Sequence, residues 1–129
     1  MKNVIKAALL LMTGLLFTAC SNGGKVDDQT AKEYEAKAEE VVDYLNNQEY
    51  SKLTPLFDSK MKEALPEEKL KELEPIIAEA GDFESITKSS VEKQDKYYSV
   101  ILVAKYSNAK LRVTVNYDEQ GQVAGLFLK

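Results

Sequence analysis

Hydrophobic residues recur every three to four positions from about residue 34, while charged residues occupy the positions between them. The apolar positions on this face are Tyr34, Ala38, Val41 and Leu45. This spacing is typical of an amphipathic helix. Thr30 and Glu33 have the spacing of a capping box, which satisfies free amides at a helix start. The pattern predicts a long first helix from Thr30 to the Asn46-Asn47 pair.

Two further helical segments contain prolines. Residues 49–65 include several apolar positions, but Pro55 removes a hydrogen bond from a continuous helix, so we expect one or two short pieces. Another helix is predicted to begin at Pro66, because proline and the acids after it suit a helix start. Pro75 should kink or split that helix. Gly81 is predicted to end it, since glycine adopts a left-handed conformation without strain.

After this glycine the hydrophobic period changes from about 3.6 to 2, which indicates strands. The predicted strands are residues 83–92, 97–107, 110–117 and 123–128. The inward positions of the second and third strands are Tyr98, Val100, Leu102, Ala104, Tyr106, Leu111, Val113, Val115 and Tyr117. The connections are too short for crossovers, so the strands should form an antiparallel meander. Helices followed by strands in separate runs predict an α+β fold.

The first twenty residues have the three parts of an export signal. Lys2 and Lys6 form a positive start, and residues 7–19 are an uncharged, mostly apolar run of 13 residues. At about 1.5 Å per residue, this run is too short to cross a hydrocarbon core about 30 Å thick. The pattern therefore predicts a signal peptide that is removed after export.

The end of this run, Leu16-Phe17-Thr18-Ala19-Cys20, resembles the lipobox of bacterial lipoproteins. The resemblance implies that a diacylglycerol is attached to Cys20, which becomes the first mature residue, and two or more acyl chains form a durable anchor. The alternative is an ordinary secretory peptide that happens to end in cysteine. The predicted organisation is a signal peptide (1–19), a lipidated cysteine with a flexible tether (20–29) and one α+β domain (30–129). The predicted location is the extracytoplasmic side of the cell membrane.

Composition excludes several function classes. The chain has no histidine and one cysteine, which rules out Ser-His-Asp machinery, imidazole metal sites, intrachain disulfides and thiolate clusters. We expect no metal and no cofactor. Removal of residues 1–19 takes away two lysines and leaves 15 basic against 21 acidic side chains, a formal charge of −6. This balance argues against nucleic-acid binding, and anionic headgroups should repel such a domain.

A set of short motifs runs through the predicted domain: Tyr50, Phe57-Asp58, Met61, Leu65, Leu70, Gly81-Asp82-Phe83 and Gly125-Leu126-Phe127. Their order is similar to a family of bacterial domains of unknown function, found in small lipoproteins of Gram-positive bacteria or in front of α/β-hydrolase domains. Helices packed into a curved four-stranded sheet also resemble the nuclear-transport-factor-2-like fold. The resemblance implies a cone-shaped, cystatin-like roll. The family has no assigned catalytic residues, so the activity stays open.

Some enzymes on this fold, such as ketosteroid isomerases, use a carboxylate base and a phenol donor inside the cone. The candidate pocket or core-rim residues here are Tyr98, Tyr106, Tyr117, Asp58 and Asp82. A base of this kind needs its pKa raised by apolar burial, yet no inward strand position carries an acid. We therefore expect no catalytic residues and no enzyme. The alternative is a small isomerase or lyase that uses an interior carboxylate and a tyrosine.

The second strand has a second apolar face. Tyr97, Ile101 and Val103 alternate with the core positions, and a sheet face with Ile and Val is seldom left wet. These residues form a candidate interface for a homodimer or another envelope protein. The polar run 85–90 is interpreted as a solvated edge strand, with a polar pocket as the alternative. The sequence thus predicts a membrane-anchored, non-catalytic binding module, and a small apolar ligand in the cone is a further candidate partner.

Overall fold

A computed structural model describes residues 26–129. The predicted signal peptide, the lipobox and Cys20 lie outside the described residues. The described chain forms helices followed by a four-stranded antiparallel sheet that is curled and not closed, which confirms the predicted α+β fold. None of the helices within these residues is both long enough and apolar enough to cross a membrane.

Helix α1 spans Asp28–Asn46 and begins two residues before the predicted start. Asp27 is the N-cap, and its carboxylate accepts a hydrogen bond from the amide of Thr30 at 2.8 Å. This bond lowers the pKa of the Asp27 carboxyl. The predicted cap at Thr30 is wrong because aspartate is the stronger capping residue and lies one turn earlier. Asp28 and Gln29, assigned by the sequence to the tether, are therefore helical.

The segments after α1 are short, as predicted, and prolines mark their boundaries. They are α2 (Tyr50–Leu53), a 3₁₀ turn (Thr54–Leu56), α3 (Ser59–Ala64), α4 (Glu67–Leu70), a second 3₁₀ turn (Lys71–Leu73) and α5 (Glu74–Ala80). Pro55 lies in the first 3₁₀ turn, and Pro75 occupies the first turn of α5, where no amide donor is needed. Gly81 follows α5 with a φ of 97°, which confirms the predicted helix end.

The sheet has the simple order β1-β2-β3-β4. The strands are β1 (Phe83–Gln94), β2 (Tyr97–Tyr106), β3 (Lys110–Tyr117) and β4 (Val123–Leu128). Strand β1 is an edge strand with mostly exposed side chains and two register shifts, which confirms the solvated-edge interpretation. Gly121 has a φ of 81° in the β3–β4 hairpin, as expected for a turn glycine.

The core lies between the helices and one face of the sheet, which we call the inner face. Its largest fully buried side chains are Phe57, Leu53, Leu70, Leu102, Val41, Val42, Val100, Val113, Val115 and Val123. Phe57 also forms a parallel bridge with Val123, which joins the helical segment to β4. Among residues 26–129, no charged side chain is buried. The inside of the curled sheet is therefore occupied by an apolar core.

Candidate functional site

The two candidate carboxylates take part in local chain geometry. Asp58 is the N-cap of α3, where its Oδ1 accepts a hydrogen bond from the amide of Met61 at 2.8 Å. Its own amide donates to the carbonyl of Val123 at 2.9 Å. Asp82 lies at the exposed turn before β1, and its amide donates to Ser107 Oγ at 3.0 Å. Asp58 thus starts a helix, and Asp82 exposes its carboxylate to solvent.

Tyr106 links the end of α1 to the sheet. Its hydroxyl donates a hydrogen bond to Asn46 Oδ1 at 2.5 Å. The ring of Phe83 meets it edge-on, with centroids 5.5 Å apart. Burial raises the pKa of Tyr106. Tyr106 was a candidate pocket or core-rim residue. The structure places it at the core rim, as a buried aromatic ring whose hydroxyl has a hydrogen-bond partner.

The other two candidate phenols, Tyr98 and Tyr117, come together in an aromatic cluster with Tyr34, which was predicted on the apolar face of the first helix. The rings of Tyr34 and Tyr98 stack at 4.4 Å, and those of Tyr34 and Tyr117 lie 5.2 Å apart. Lys37 Nζ lies 5.0 Å from the Tyr34 centroid and 5.9 Å from that of Tyr117. Lys93 Nζ lies 5.7 Å from the centroid of Tyr98. This cluster packs α1 onto one end of the sheet and carries lysine cations on its rings.

Tyr117 is the most confined member of the cluster. Its hydroxyl is buried and has no hydrogen-bond partner within the described part of the chain. Burial, with a smaller contribution from Glu40, raises the pKa of Tyr117. The phenol therefore stays protonated well beyond neutral pH. A phenol must lose its own proton before it can act as a general base, and the raised pKa of Tyr117 disfavours that ionised form.

Sequence reasoning missed one phenol–carboxylate pair. The hydroxyl of the buried Tyr50 donates to Glu74 Oε2 at 2.5 Å. Burial raises the pKa of Tyr50, and the hydrogen bond to Glu74 raises it further. The pair joins α2 to α5 across 24 residues of sequence. No local pattern reveals it, because Glu74 looks like an ordinary acid in the first turn of a helix.

These raised pKa values predict that the protein loses stability in alkali. A phenol whose pKa is raised by folding leaves the free energy of unfolding undiminished at pH values below its pKa in the unfolded chain, which is about 10. Above that pH the unfolded chain ionises first, so stability falls by up to about 1.4 kcal/mol per pH unit and group. Urea unfolding at a series of pH values would measure the fall.

The variant Tyr117→Phe sharpens this test because it removes no hydrogen bond. We expect stability at pH 7 to be equal to or greater than that of the wild type, because the change removes a buried hydroxyl without a partner, and we expect a flatter alkaline decline. Tyr97→Phe, at a side chain 46% exposed, is the matched control and should leave the decline unchanged. Equal alkaline curves for the wild type and Tyr117→Phe would contradict the assignment of the raised pKa to this phenol.

The predicted interface residues lie on the side of the sheet that faces away from the core, here called the outer face. Tyr97 is exposed, while Ile101 and Val103 are half-buried. The register places Ile101 opposite Thr114, and Thr114 opposite Phe127. Phe127 is 57% exposed and was missed as an interface residue. The alternation in β4 was the available signal, because Leu126 and Leu128 pack against the core and leave Phe127 on the outer face.

Surface depressions occur on both sides of the sheet. One of about 360 Å³ lies between α1 and β1 and is lined by Glu39, Val42, Asp43, Phe83, Ser85 and Ile86. Another of about 290 Å³ lies on the outer face and is lined by Arg112, Thr114, Phe127 and Lys129. Within residues 26–129, acidic side chains do not gather in groups of three that would hold a metal ion. The linings of these depressions combine polar and apolar groups.

Comparison with known proteins places the chain in a family. A family model described as "Protein of unknown function (DUF3887)" matches residues 38–126. A comparison with curated proteins found no match. The NMR structure of a protein from Ruminococcus gnavus ATCC 29149 is similar to this chain, with 23% identity and a TM-score of 0.67. The similarity covers 79% of this chain and 90% of that one, and it shows a shared fold. Because the family model covers most of the chain, this protein belongs to the DUF3887 family of proteins of unknown function.

Proposed function

We propose that the protein is a lipoprotein, anchored at Cys20 to the extracytoplasmic side of the cell membrane, whose domain is a non-catalytic binding module. The observation that carries the binding role is the outer face of the sheet. All helices of the described chain belong to the core side, whereas Tyr97 and Phe127 are exposed on the outer face. Exposed aromatic side chains on the same face as the half-buried Ile101 and Val103 are typical of a contact surface.

The arrangement of the candidate residues supports a non-catalytic role. Asp58 is occupied as a helix cap, and the interior of the domain is packed with apolar side chains. Such packing also favours binding at the surface over an apolar ligand inside the cone. The order of helices and curled sheet supports assignment to the nuclear-transport-factor-2-like class, in which chemistry depends on an interior pocket. Among the described residues, the Tyr50–Glu74 pair comes nearest to the isomerase or lyase alternative, and it links the short helices α2 and α5.

The lipobox supplies the support for the anchor. Ala19 and Thr18 precede Cys20 as small and β-branched residues, and this cysteine is the only one in the chain. Acyl chains on it would hold an acidic domain at a membrane without help from its net charge.

The anchor is tested by replacing Cys20 with alanine in the full chain expressed in a bacterial host. We expect the wild type to incorporate labelled palmitate and to partition with membranes, and the Cys20→Ala variant to lose both the label and the membrane association. Ser21→Ala is the matched control, because it changes the neighbouring position without removing the thiol. A Cys20→Ala protein that still carries labelled acyl chains would overturn the lipoprotein assignment.

A further inference from the structure

Cations gather on one half of the outer face, although the chain as a whole is acidic. Lys88 pairs with Val103, and Val103 pairs with Arg112. Arg112 and Lys129 exchange main-chain hydrogen bonds of 3.1 and 3.0 Å, so they lie directly opposite each other. These residues form one row across β1, β2 and β3 and the residue that directly follows β4. We call this row, together with the adjacent Lys105–Lys110 pair and Phe127, the basic half of the outer face.

The basic half contains few acids. Its five cations, Lys88, Lys105, Lys110, Arg112 and Lys129, are all exposed. Glu84 forms an ion pair of 3.4 Å with Lys105, and Glu92 lies two rows away from Lys88, opposite Ser99. The opposite end of the outer face, at Tyr97, adjoins Lys96 and the two acidic loop residues Asp118 and Glu119, so charges of both signs meet there. Positive charge is therefore concentrated at the Phe127 end.

This arrangement works against the stability of the isolated sheet. Like charges directly opposite each other on neighbouring strands are destabilising. Arg112 faces Lys129, and Lys105 faces Lys110 in the adjacent row, where the ion pair of Lys105 with Glu84 offsets part of the repulsion. An anionic surface placed against them would relieve the repulsion.

The apolar neighbours of these cations identify the kind of anionic surface. Phe127 lies one row from Arg112, in line with Thr114 and Ile101. Together with Arg112, Thr114 and Lys129 it lines the depression of about 290 Å³. Lysine and arginine around an exposed aromatic ring are typical of surfaces that lie at the headgroup level of a bilayer. An apolar ring beside aliphatic side chains suits this interface better than a purely polar partner.

We infer that the basic half of the outer face binds the anionic lipid headgroups of the membrane, with Phe127 at the interface and the helices turned away from it. The inference rests on the proposed function in one respect: the anchor at Cys20 brings this face close to the bilayer and raises its effective concentration there.

The net charge does not oppose this orientation. The acids of α1 lie on the core side of the sheet, about one helix diameter of 10 Å or more behind the outer face. Salt screens charges over about 8 Å at physiological ionic strength. The lipid surface therefore experiences mainly the cations of the basic half. The repulsion between anionic headgroups and a domain of charge −6 was expected for charge spread evenly over the surface, which this domain does not have.

The test uses a single tryptophan, because the chain has none. Phe127→Trp is introduced into the full chain, and the processed protein is reconstituted into vesicles of phosphatidylcholine alone or with equal phosphatidylglycerol. Brominated lipids then report contact with the indole. Ile76→Trp, at an exposed position on α5, is the matched control. Val103→Trp is a second reporter in the cation row, should Phe127→Trp fail to fold.

We expect several-fold stronger quenching at position 127 than at position 76 in phosphatidylglycerol vesicles. The quenching at position 127 should fall in high salt and in vesicles of phosphatidylcholine alone. It should also fall when Arg112→Glu is added to the Phe127→Trp protein. Vesicle flotation separates this inference from the anchor. Flotation with equal quenching at both positions would overturn the inference and leave the anchor standing, whereas flotation only with phosphatidylglycerol would support the inference and overturn the anchor. A shielded but unquenched tryptophan at position 127 would indicate a protein partner, such as a second copy, and would overturn the inference.

Discussion

Replacing Phe57 by alanine is expected to lower the free energy of unfolding by about 3–5 kcal/mol. The ring is 0% exposed and belongs to the main cluster of buried hydrophobic residues. The backbone at this position is held by the bridge to Val123 and by the amide bond of Asp58 to the same strand. The surrounding structure therefore cannot close the space that the ring would leave. Urea unfolding followed by circular dichroism measures the loss.

Phe127→Ala is the matched control, because it makes the same chemical change at a ring that is 57% exposed. We expect a loss below about 1 kcal/mol there. Similar losses for the two variants would show that Phe57 is not the core residue that its burial indicates. A domain of this size has a stability of about 5–15 kcal/mol, so the loss in the Phe57 variant is a large fraction of the free energy of unfolding.

Gly81→Ala is expected to destabilise the protein by roughly 2–4 kcal/mol, from backbone strain together with overpacking. Gly81 has φ and ψ of 97° and −152°, a region that only glycine occupies readily. A Cβ atom at this position would lie 2.1 Å from Ser107 Oγ. The neighbouring backbone cannot move away, because Ser107 and Asn108 donate amide hydrogen bonds of 2.8 and 2.7 Å to Asp82 and Ala80.

A second substitution separates the two causes of this loss. Ser107→Gly in the Gly81→Ala background removes the contacting hydroxyl and leaves the backbone strain. We therefore expect Gly81→Ala to lower the free energy of unfolding less in the Ser107→Gly protein than in the wild type, but still to lower it. Gly125→Ala serves as a comparison at a strand glycine without a positive φ. If Gly81→Ala unfolded at the same urea concentration as the wild type, the strain argument would be wrong.

The elements of the fold follow closely from the hydrophobic pattern. Strands β3 and β4 begin and end at the predicted residues, because each alternates between a buried and a solvated face. The differences occur at chain turns. Helix α1 begins at Asp28, with Asp27 in place of Thr30 as its N-cap, and Gly81 adopts a positive φ but not the left-handed helical ψ. Such details depend on which side chain or strand meets the turn, and a local pattern does not contain that information.

In the candidate site, too, the local pattern predicted which face a residue lies on but not which residues it contacts. Tyr98 and Tyr117 were both placed on the inner face, as the structure has them, but their contact with Tyr34 depends on how α1 crosses the sheet. The Tyr50–Glu74 hydrogen bond also depends on how two short helices pack. Asp58 was assigned a candidate chemical role, whereas its carboxylate caps α3.

By itself, the sequence determined the order and type of the elements and the two faces of the central strands. It also determined the acidic composition and the absence of histidine chemistry. These properties are additive along the chain or repeat with a local period. Only the tertiary structure decided that Arg112 lies opposite Lys129, that Lys88 shares their row, and that Phe127 borders them. Adjacency across strands depends on register between distant residues, so the same net charge is compatible with an even surface or with one basic half.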